Sequence, residues 1–213
     1  MNIKTFQCNF LQENCYVVSD ETCEAAVIDC GAYYDAERKA IASYLEEQQL
    51  KLRYVLCTHA HFDHIFGLDM LYDTFDVKPR LHAADEYIYH GMSQQVEAMM
   101  GMPYTQPMPP LDIFLTDGYQ LPLGNHRIDV MHTPGHSPGS VVFYVADEHC
   151  LFAGDTLFRM SVGRTDLEGG SWTAMMKSLQ RIATTLSKDT VVYCGHGPST
   201  TLADELRMNP YFK

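Results

Sequence analysis

The chain has 213 residues, enough for one large domain or two small ones, and 46% of them are hydrophobic and can fill a substantial core. It carries 15 Lys and Arg against 27 Asp and Glu, which gives a formal net charge of −12. A nucleic-acid partner would require a basic surface, so this charge balance speaks against one. It does not exclude a small anionic substrate, because a bound metal ion can dominate the local field.

The sequence also bears on the compartment. The first residues, Met1–Phe6, lack the apolar stretch of a signal peptide, and no apolar run approaches the roughly 20 residues that cross a membrane. The seven cysteines are scattered and form no Cys-x-x-Cys pair, so we interpret most of them as small apolar residues in a reducing compartment. We therefore expect a soluble, cytoplasmic protein with no membrane partner.

The first half of the chain alternates between strand and helix patterns. Two short apolar runs, Cys15–Val18 and Ala25–Ile28, flank the polar segment Ser19–Thr22 and predict antiparallel strands within residues 3–30. The predicted elements that follow are a helix over 35–49, a strand over 52–57, a helix over 63–75 and a short strand over 80–82. This alternation indicates α/β layering.

Residues 84–112 are rich in Met and Pro. The pattern predicts a helix from Asp85 to Met100, whereas the prolines exclude a regular helix from Gly101 to Pro110. We interpret the helix as an element packed on the core. Long irregular loops are often lids or binding loops, and we interpret Gly101–Pro110 in that way, with a plain linker as the alternative.

The rest of the chain returns to strand patterns and ends in helices. Ser171 is predicted to cap the N-terminus of an amphipathic helix that runs to Leu186. The other predicted elements are strands over Arg127–Met131, Ser140–Val145, His149–Ala153 and Thr190–Cys194, a loop over 159–170 and a short helix over 202–208.

One segment organises the whole chain: Thr58-His59-Ala60-His61-Phe62-Asp63-His64. Its three histidines and one aspartate follow a predicted buried strand and precede a predicted helix. A strand-to-helix turn is a rigid position from which several side chains can be aimed at one point. We therefore predict that His59, His61, Asp63 and His64 bind metal.

Three further candidate ligands follow predicted strands. His136 lies at the apex of a loop with two Pro and two Gly, Asp155 follows a strand end, and His196 lies between two glycines. Seven ligands exceed the four of a tetrahedral zinc site and suit two divalent ions with one bridging carboxylate. The donor set fits zinc, and also iron or manganese. No metal role is assigned to the other five histidines, His82, His90, His126, His132 and His149.

Two other residues each allow two interpretations. Asp29, at a strand end, either makes a turn or supports a ligand histidine from behind. Arg164, in the segment Gly163–Asp166, either meets a substrate carboxylate or pairs with a nearby acid such as Asp166. The sequence leaves both questions open.

The His-x-His-x-Asp-His motif resembles the hallmark of the metallo-β-lactamase superfamily, and matching motifs run from Asp29 to Gly197. Within it the chain is similar to the glyoxalase II group, the hydroxyacylglutathione hydrolases and their short bacterial relatives. The resemblance implies an αββα sandwich, in which two mixed sheets lie between outer helices. It also implies the metal ligands: His59, His61 and His136 for one metal, Asp63, His64 and His196 for the other, and Asp155 as the bridge.

The resemblance implies a binuclear hydrolase of a small-molecule thioester, cleaving S-D-lactoylglutathione to D-lactate and glutathione. A hydroxide between the metals would attack the carbonyl, Asp63 would orient it, and the thiolate would leave readily because its pKa is about 8.5. Full-length glyoxalase II enzymes carry an additional helical C-terminal domain. We expect residues 1–213 to form a single domain without it, so glutathione as the thiol is inferred from the family alone.

Other functions remain as alternatives. Persulfide dioxygenases share the fold and a Gly-Arg-Thr-Asp segment but use one iron, whose ligands would map to His59, His136 and Asp155. A non-catalytic, metal-stabilised binding module is disfavoured, because a structural zinc site closes with four ligands. A β-lactamase is disfavoured because His64 follows Asp63, and a nuclease because of the net charge of −12. The native metal, the acyl group and the oligomeric state are left open.

Overall fold

The computed structural model describes residues 1–212. Its strands are β1 (Asn2–Cys8), β2 (Glu13–Ser19), β3 (Glu24–Ile28), β4 (Lys51–Leu56), β5 (Pro79–Arg80), β6 (Gln120–Leu123), β7 (His126–His132), β8 (Val141–Val145), β9 (Cys150–Gly154), β10 (Leu157–Phe158), β11 (Ser161–Val162), β12 (Val191–Cys194) and β13 (Thr200–Thr201). The α-helices are α1 (Asp35–Glu47), α2 (Phe62–Ile65), α3 (Leu68–Phe75), α4 (Glu86–His90), α5 (Met92–Met100), α6 (Trp172–Thr185) and α7 (Leu202–Met208).

The strands form two large mixed sheets. One has five strands in the order β1-β2-β3-β4-β5, and the other has six in the order β13-β12-β9-β8-β7-β6. In the first sheet β3, β4 and β5 run parallel, and in the second β9 and β12 do, while the remaining pairs are antiparallel. Parallel neighbours end at the same edge of a sheet, so the loops that follow them lie close together.

Three buried clusters of apolar side chains define the layers. The central cluster joins the facing sides of the two sheets, with Ile28 and Leu56 from one sheet and Val130, Phe143 and Phe152 from the other. A second cluster packs helices α1 to α5 on the outer side of the first sheet, and a third packs α6 and α7 on the second sheet. Alternate residues of a strand point to opposite faces, so each sheet serves two clusters. The predicted αββα sandwich is confirmed.

Several boundaries differ from the sequence prediction for steric reasons. The helix predicted over 63–75 is two helices, α2 and α3, separated at Phe66–Gly67. A side-chain carbon at Gly67 would lie 2.6 Å from Cys30 Sγ, so only glycine fits there. The helix predicted from Asp85 to Met100 is a 3₁₀ turn, α4 and α5, interrupted at Gly91. Strand β6 is not predicted from the sequence, because Pro122 within it is unusual for a strand. β6 is an edge strand of its sheet, and edge strands tolerate proline.

Other local predictions are confirmed. Ser171 caps α6, since its Oγ accepts a hydrogen bond from the Ala174 amide at 3.3 Å. All seven cysteines are free thiols, and Cys23 is the exposed one while the other six are buried. Among residues 1–212, no helix combines the length and apolar character that crossing a membrane requires.

Candidate metal centre

The seven predicted ligands converge at one edge of the sandwich. The turn after β4 carries His59, His61, Asp63 and His64, and Asp63 and His64 belong to the short helix α2. From the second sheet, the loops after β7, β9 and β12 supply the other three, which are His136, Asp155 and His196. Since four strand ends meet at this edge, ligands that are far apart in sequence become neighbours.

A first cluster consists of His59, His61 and His136. One nitrogen from each ring lies within 4.8 Å of the others. His61 Nδ1 is 2.8 Å from His136 Nε2, and all but His61 are almost fully buried. Three imidazole nitrogens aimed at a common point form the donor set of a transition-metal site.

A second cluster consists of Asp63, His64 and His196, again with ligand atoms within 4.8 Å of one another. His196 Nε2 lies 3.2 Å from Asp63 Oδ2 and 3.3 Å from His64 Nε2. This set of two imidazoles and one carboxylate is a second candidate metal site beside the first.

Asp155 contacts both clusters. Its Oδ1 is 3.3 Å from His64 Nε2, and its Oδ2 is 3.5 Å from His136 Nε2 and 3.8 Å from His196 Nε2. The structure thus places this carboxylate between the two sets of nitrogens, at the position where a bridging ligand would lie.

Backbone carbonyl groups fix the orientation of two of the rings. His136 Nδ1 lies 2.8 Å from the Arg164 carbonyl oxygen, and His196 Nδ1 lies 3.1 Å from that of Leu11. A carbonyl oxygen only accepts, so each Nδ1 carries the proton and each Nε2 directs its lone pair at the clusters. Among the described residues, His59 Nε2 and Asp155 Oδ1 are buried without a hydrogen-bond partner. Such converging, unpartnered acceptors fit divalent cations.

Burial sets the charge state of the first cluster. It lowers the pKa of His59 well below the ordinary value, and burial together with neighbouring His136 lowers that of His61 to about 3. For His64 burial acts in the same direction, but the carboxylates of Asp155, Asp63 and Asp29 outweigh it and raise the pKa. Burial would raise the pKa of Asp155, yet His64 and His136 hold it below its usual range. The carboxylates of Asp155 and Asp63, whose pKa is also lowered, are therefore ionised at neutral pH.

Asp29 supports this edge from behind. Its carboxylate accepts hydrogen bonds from the Thr58 amide at 2.7 Å and the Thr58 hydroxyl at 2.6 Å, and it lies 3.0 Å from His64 Nδ1. The backbone of Asp29 also has a positive φ of 50°, so it makes a turn as well. Both interpretations of Asp29 therefore hold, and its contact with His64 directs the opposite ring nitrogen toward the clusters.

A cavity of about 630 Å³ opens onto the clusters. His61, Asp63, His136 and Asp155 line its floor, and helices α4 and α5 supply most of one wall. No described residue of Gly101–Pro110 lines it, and Tyr104 and Met108 of that segment pack against the core instead. This corrects the interpretation from sequence. The helical segment from Asp85 to Met100, interpreted there as packing on the core, also lines the cavity, whereas the loop Gly101–Pro110 does not.

Arg164 lies at the rim of this cavity and is paired. Its Nε donates to Asp166 Oδ1 at 2.7 Å and its Nη2 to Asp166 Oδ2 at 2.6 Å. Both side chains are largely exposed. Of the two interpretations of Arg164, the structure shows the ion pair with Asp166.

A family model described as the metallo-beta-lactamase superfamily matches residues 8–196. The chain belongs to the metallo-beta-lactamase superfamily. Binding of divalent metals is a property of the superfamily, and the histidine clusters described above provide for it here.

Three relatives are similar to the chain over nearly its whole length. The hydroxyacylglutathione hydrolase GloC of Haemophilus influenzae is 31% identical over 212 residues, which cover 99% of this chain and 98% of GloC. The crystal structure of the BLEG-1 B3 metallo-beta-lactamase is 37% identical with a TM-score of 0.90, and the match covers 100% of both chains. That of TTHA1623 in a di-iron-bound form is 37% identical with a TM-score of 0.85, covering 98% of this chain and 99% of TTHA1623.

Asp85 is a further functional candidate, which the sequence analysis did not identify. It is fully buried and accepts hydrogen bonds from the Ala60 amide at 3.0 Å, the Ser137 hydroxyl at 2.7 Å and the Gly139 amide at 2.5 Å. A side-chain carbon at Gly139 would lie 2.6 Å from its carboxyl group, so the loop closes tightly on it. Asp85 thus joins the turn that carries His59 and His61 to the loop that carries His136. No local sequence signal marks it.

Gln95 of α5 holds the same turn from the side of the cavity. Its amide oxygen accepts from the Phe62 backbone amide at 3.1 Å, and its amide nitrogen donates to the carbonyl oxygens of Ala60 at 3.2 Å and Ile88 at 2.8 Å. The helix that lines the cavity is therefore hydrogen-bonded directly to the segment that carries the predicted ligands.

The histidines to which no metal role was assigned lie outside the clusters. The groupings of potential ligands found among residues 1–212 contain none of them. His82 and His132 instead stack on each other with ring centroids 4.0 Å apart and planes 8° from parallel. His126 pairs with Asp147 at 2.7 Å on the surface.

We expect acid to destabilise the metal-free protein below about pH 6.5. The folded-state pKa values of His59 and His61 lie below the unfolded value of 6.5, so the unfolded chain binds their protons more tightly. Their stabilisation is present above 6.5 and is lost as pH falls through the folded value, which is about 3 for His61. His64 and His196 have folded-state pKa values above 6.5, so they stabilise the folded protein when they are protonated. That stabilisation is already fully present at pH 6.5 and below, and it does not offset the loss as the pH falls further.

The melting temperature of chelator-treated protein at about pH 7, 6 and 5 measures this effect. It should fall with each step, and the slope should be smaller in His61→Gln, which has one fewer buried imidazole. A melting temperature that rises on acidification would contradict the assigned charge states.

Proposed function

We propose that the protein is a binuclear metallohydrolase that cleaves thioesters of the hydroxyacylglutathione type. The observation that carries this proposal is the convergence of seven donor side chains into two clusters, with Asp155 touching both, at the floor of an open cavity. The relationship to the hydrolase GloC over nearly the whole chain supports it further.

The geometry supports the following roles. One divalent ion would be held by His59, His61 and His136. The other would be held by Asp63, His64 and His196, and Asp155 would bind both ions. Such ions supply polarisation of a carbonyl oxygen and a lowered pKa for a nucleophilic water. Hydrogen bonds to Arg164 O and Leu11 O keep the rings oriented. Asp63, which lines the cavity, would orient the attacking water, and its lowered pKa keeps it an ionised acceptor.

Thioesters suit this site because of their leaving group. A thiolate has a conjugate-acid pKa of about 8.5 and departs at neutral pH with little protonation. The site therefore needs no dedicated general acid, whereas an ester or amide would demand one. We propose zinc as the metal, with iron or manganese as alternatives, within a single domain. We also propose a cytoplasmic location, which the free thiols support.

The test is an assay of S-D-lactoylglutathione with purified protein loaded in turn with zinc, iron and manganese. We expect thiol release with kcat of about 1–10³ s⁻¹, and a metal content near two per chain by elemental analysis. The absence of thioester hydrolysis with every fully loaded metal would overturn the proposal.

Two control reactions separate the alternatives. Oxygen consumption on glutathione persulfide by protein containing a single iron, without thioester turnover, would replace the proposal with a dioxygenase. A β-lactam is the second control, because BLEG-1 is a similar structure named as a metallo-beta-lactamase. We expect turnover of the thioester to exceed that of both.

A further inference from the structure

The walls of the cavity differ in character from its floor. The floor is made of predicted ligands, whereas half of the other lining residues have apolar side chains: Leu11, Phe62, Ile88, Ala98, Met99 and Leu167. Leu11 and Met99 are 41% and 59% exposed, so the fold itself does not bury them. Large apolar side chains left exposed around a concave site are typical of a ligand-binding wall.

Helix α5 presents two distinct faces. Met92 and Val96 are buried in the core cluster under the first sheet. Gln94, Ala98 and Met99 lie on another side of the helix and line the cavity. Residues spaced by three or four positions share a helix face. Gln94 and Ala98 have this spacing, as do Met99 and Gln95, which also lines the cavity, so the cavity side of α5 is continuous. Met99 adds a flexible, polarizable surface that adapts to the shape of a bound chain.

Among the described residues that line the cavity, the one Lys or Arg is Arg164, and it is paired with Asp166. Apart from the predicted ligands, its charged residues are Arg164 and Glu168. The guanidinium of Arg164 donates two hydrogen bonds to Asp166, whose carboxylate offsets its charge, and Glu168 would repel an anion. The amide of Gln95 is also engaged, with Phe62, Ala60 and Ile88. The walls therefore present apolar surface, and their charged side chains together with Asp166 provide no net positive charge.

Resting on the thioesterase function proposed above, we infer that the cavity selects thioesters whose acyl group carries an extended apolar chain, in preference to a short polar acyl group such as lactoyl. The carbonyl must lie at the floor beside His61 and Asp155. An acyl chain attached to it then reaches the wall formed by Ile88, Ala98 and Met99. Contacts distant from the carbonyl increase kcat/KM by binding the transition state.

The test is a series of glutathione thioesters with D-lactoyl, acetyl, butanoyl, hexanoyl and octanoyl groups. Each methylene buried on the wall should increase kcat/KM by about fourfold, until the chain outgrows the wall. Hexanoylglutathione should therefore exceed lactoylglutathione by at least about tenfold. A parallel series with constant acetyl group and increasingly apolar thiols should remain flat.

Met99→Gln tests the wall itself, because glutamine matches methionine in length but is polar. The ratio of hexanoyl to lactoyl kcat/KM should fall by about tenfold, the effect of losing a buried apolar contact. Met102→Gln is the matched control, since Met102 is 48% exposed and does not line the cavity. Its ratio should equal that of the wild type.

The outcomes distinguish this inference from the function on which it rests. A flat or falling acyl series with intact lactoylglutathione turnover would overturn the inference alone. So would a Met99→Gln ratio equal to the wild type, or a rise confined to the thiol series. Failure to hydrolyse any thioester would overturn the proposed function and the inference with it.

Discussion

Replacing Asp155 with alanine is expected to lower kcat/KM for thioester hydrolysis by at least about a thousandfold, because a metal pair contributes several kcal/mol to the reaction. Among residues 1–212, Asp155 is the one carboxylate that contacts His64, His136 and His196 together. Without it, each proposed metal site would lose the carboxylate donor that lies beside its cluster. The metal content by elemental analysis should fall from about two per chain to one or none.

Asp147→Ala is the matched control for this substitution. Asp147 is exposed and pairs with His126 away from the clusters. This variant should keep wild-type activity and metal content. A thermal unfolding profile for both variants separates loss of metal from loss of fold. Full activity and normal metal content in Asp155→Ala would refute the assignment of this residue.

Asp85→Ala is expected to lower the free energy of unfolding by about 3 kcal/mol, since each hydrogen bond to a charged group contributes roughly 1.5–3 kcal/mol and the effects are not additive. The substitution leaves the buried amides of Ala60 and Gly139 without their acceptor, and the Ser137 hydroxyl keeps only its contact with the Ser140 hydroxyl. Because these groups hold the two segments that carry His59, His61 and His136, the affinity for the first metal should fall as well. Chemical denaturation and a zinc titration measure the two effects.

Two further variants should lower the free energy of unfolding by less than Asp85→Ala does. Ser137→Ala removes one of the donors and should cost about 1 kcal/mol. Asp85→Asn keeps the shape but turns an amide NH₂ toward a donor, so it should fall between Ser137→Ala and Asp85→Ala. If metal affinity follows the same order as stability, Asp85 positions the ligands. An Asp85→Ala protein with unchanged stability and zinc affinity would disprove this role.

The parts of the site that sequence predicts are those with a local signal. His59, His61, Asp63 and His64 crowd into one turn, and His136 and His196 lie in segments rich in Gly and Pro. The structure brings all of them together with Asp155. Alternating and continuous apolar runs likewise indicated the strands of both sheets, because burial against a core imposes those patterns.

The parts that escaped prediction depend on contacts between residues distant in sequence. Asp85 lies 25 residues from Ala60 and 52 from Ser137, and no local pattern reports such pairings. The same applies to Gln95 and Phe62, which are 33 residues apart. Gly91 interrupts a periodic apolar pattern that by itself favours one helix. For Gly101–Pro110 composition was misleading, because its irregularity marks a connection and not the cavity wall.

The most direct test of a two-metal centre is a crystal structure of zinc-loaded protein measured at the zinc absorption edge. We predict two anomalous peaks at the sandwich edge, the first contacting His59, His61 and His136 and the second contacting Asp63, His64 and His196. Asp155 should contact both. A single peak at full zinc loading, or peaks away from these residues, would contradict a binuclear centre.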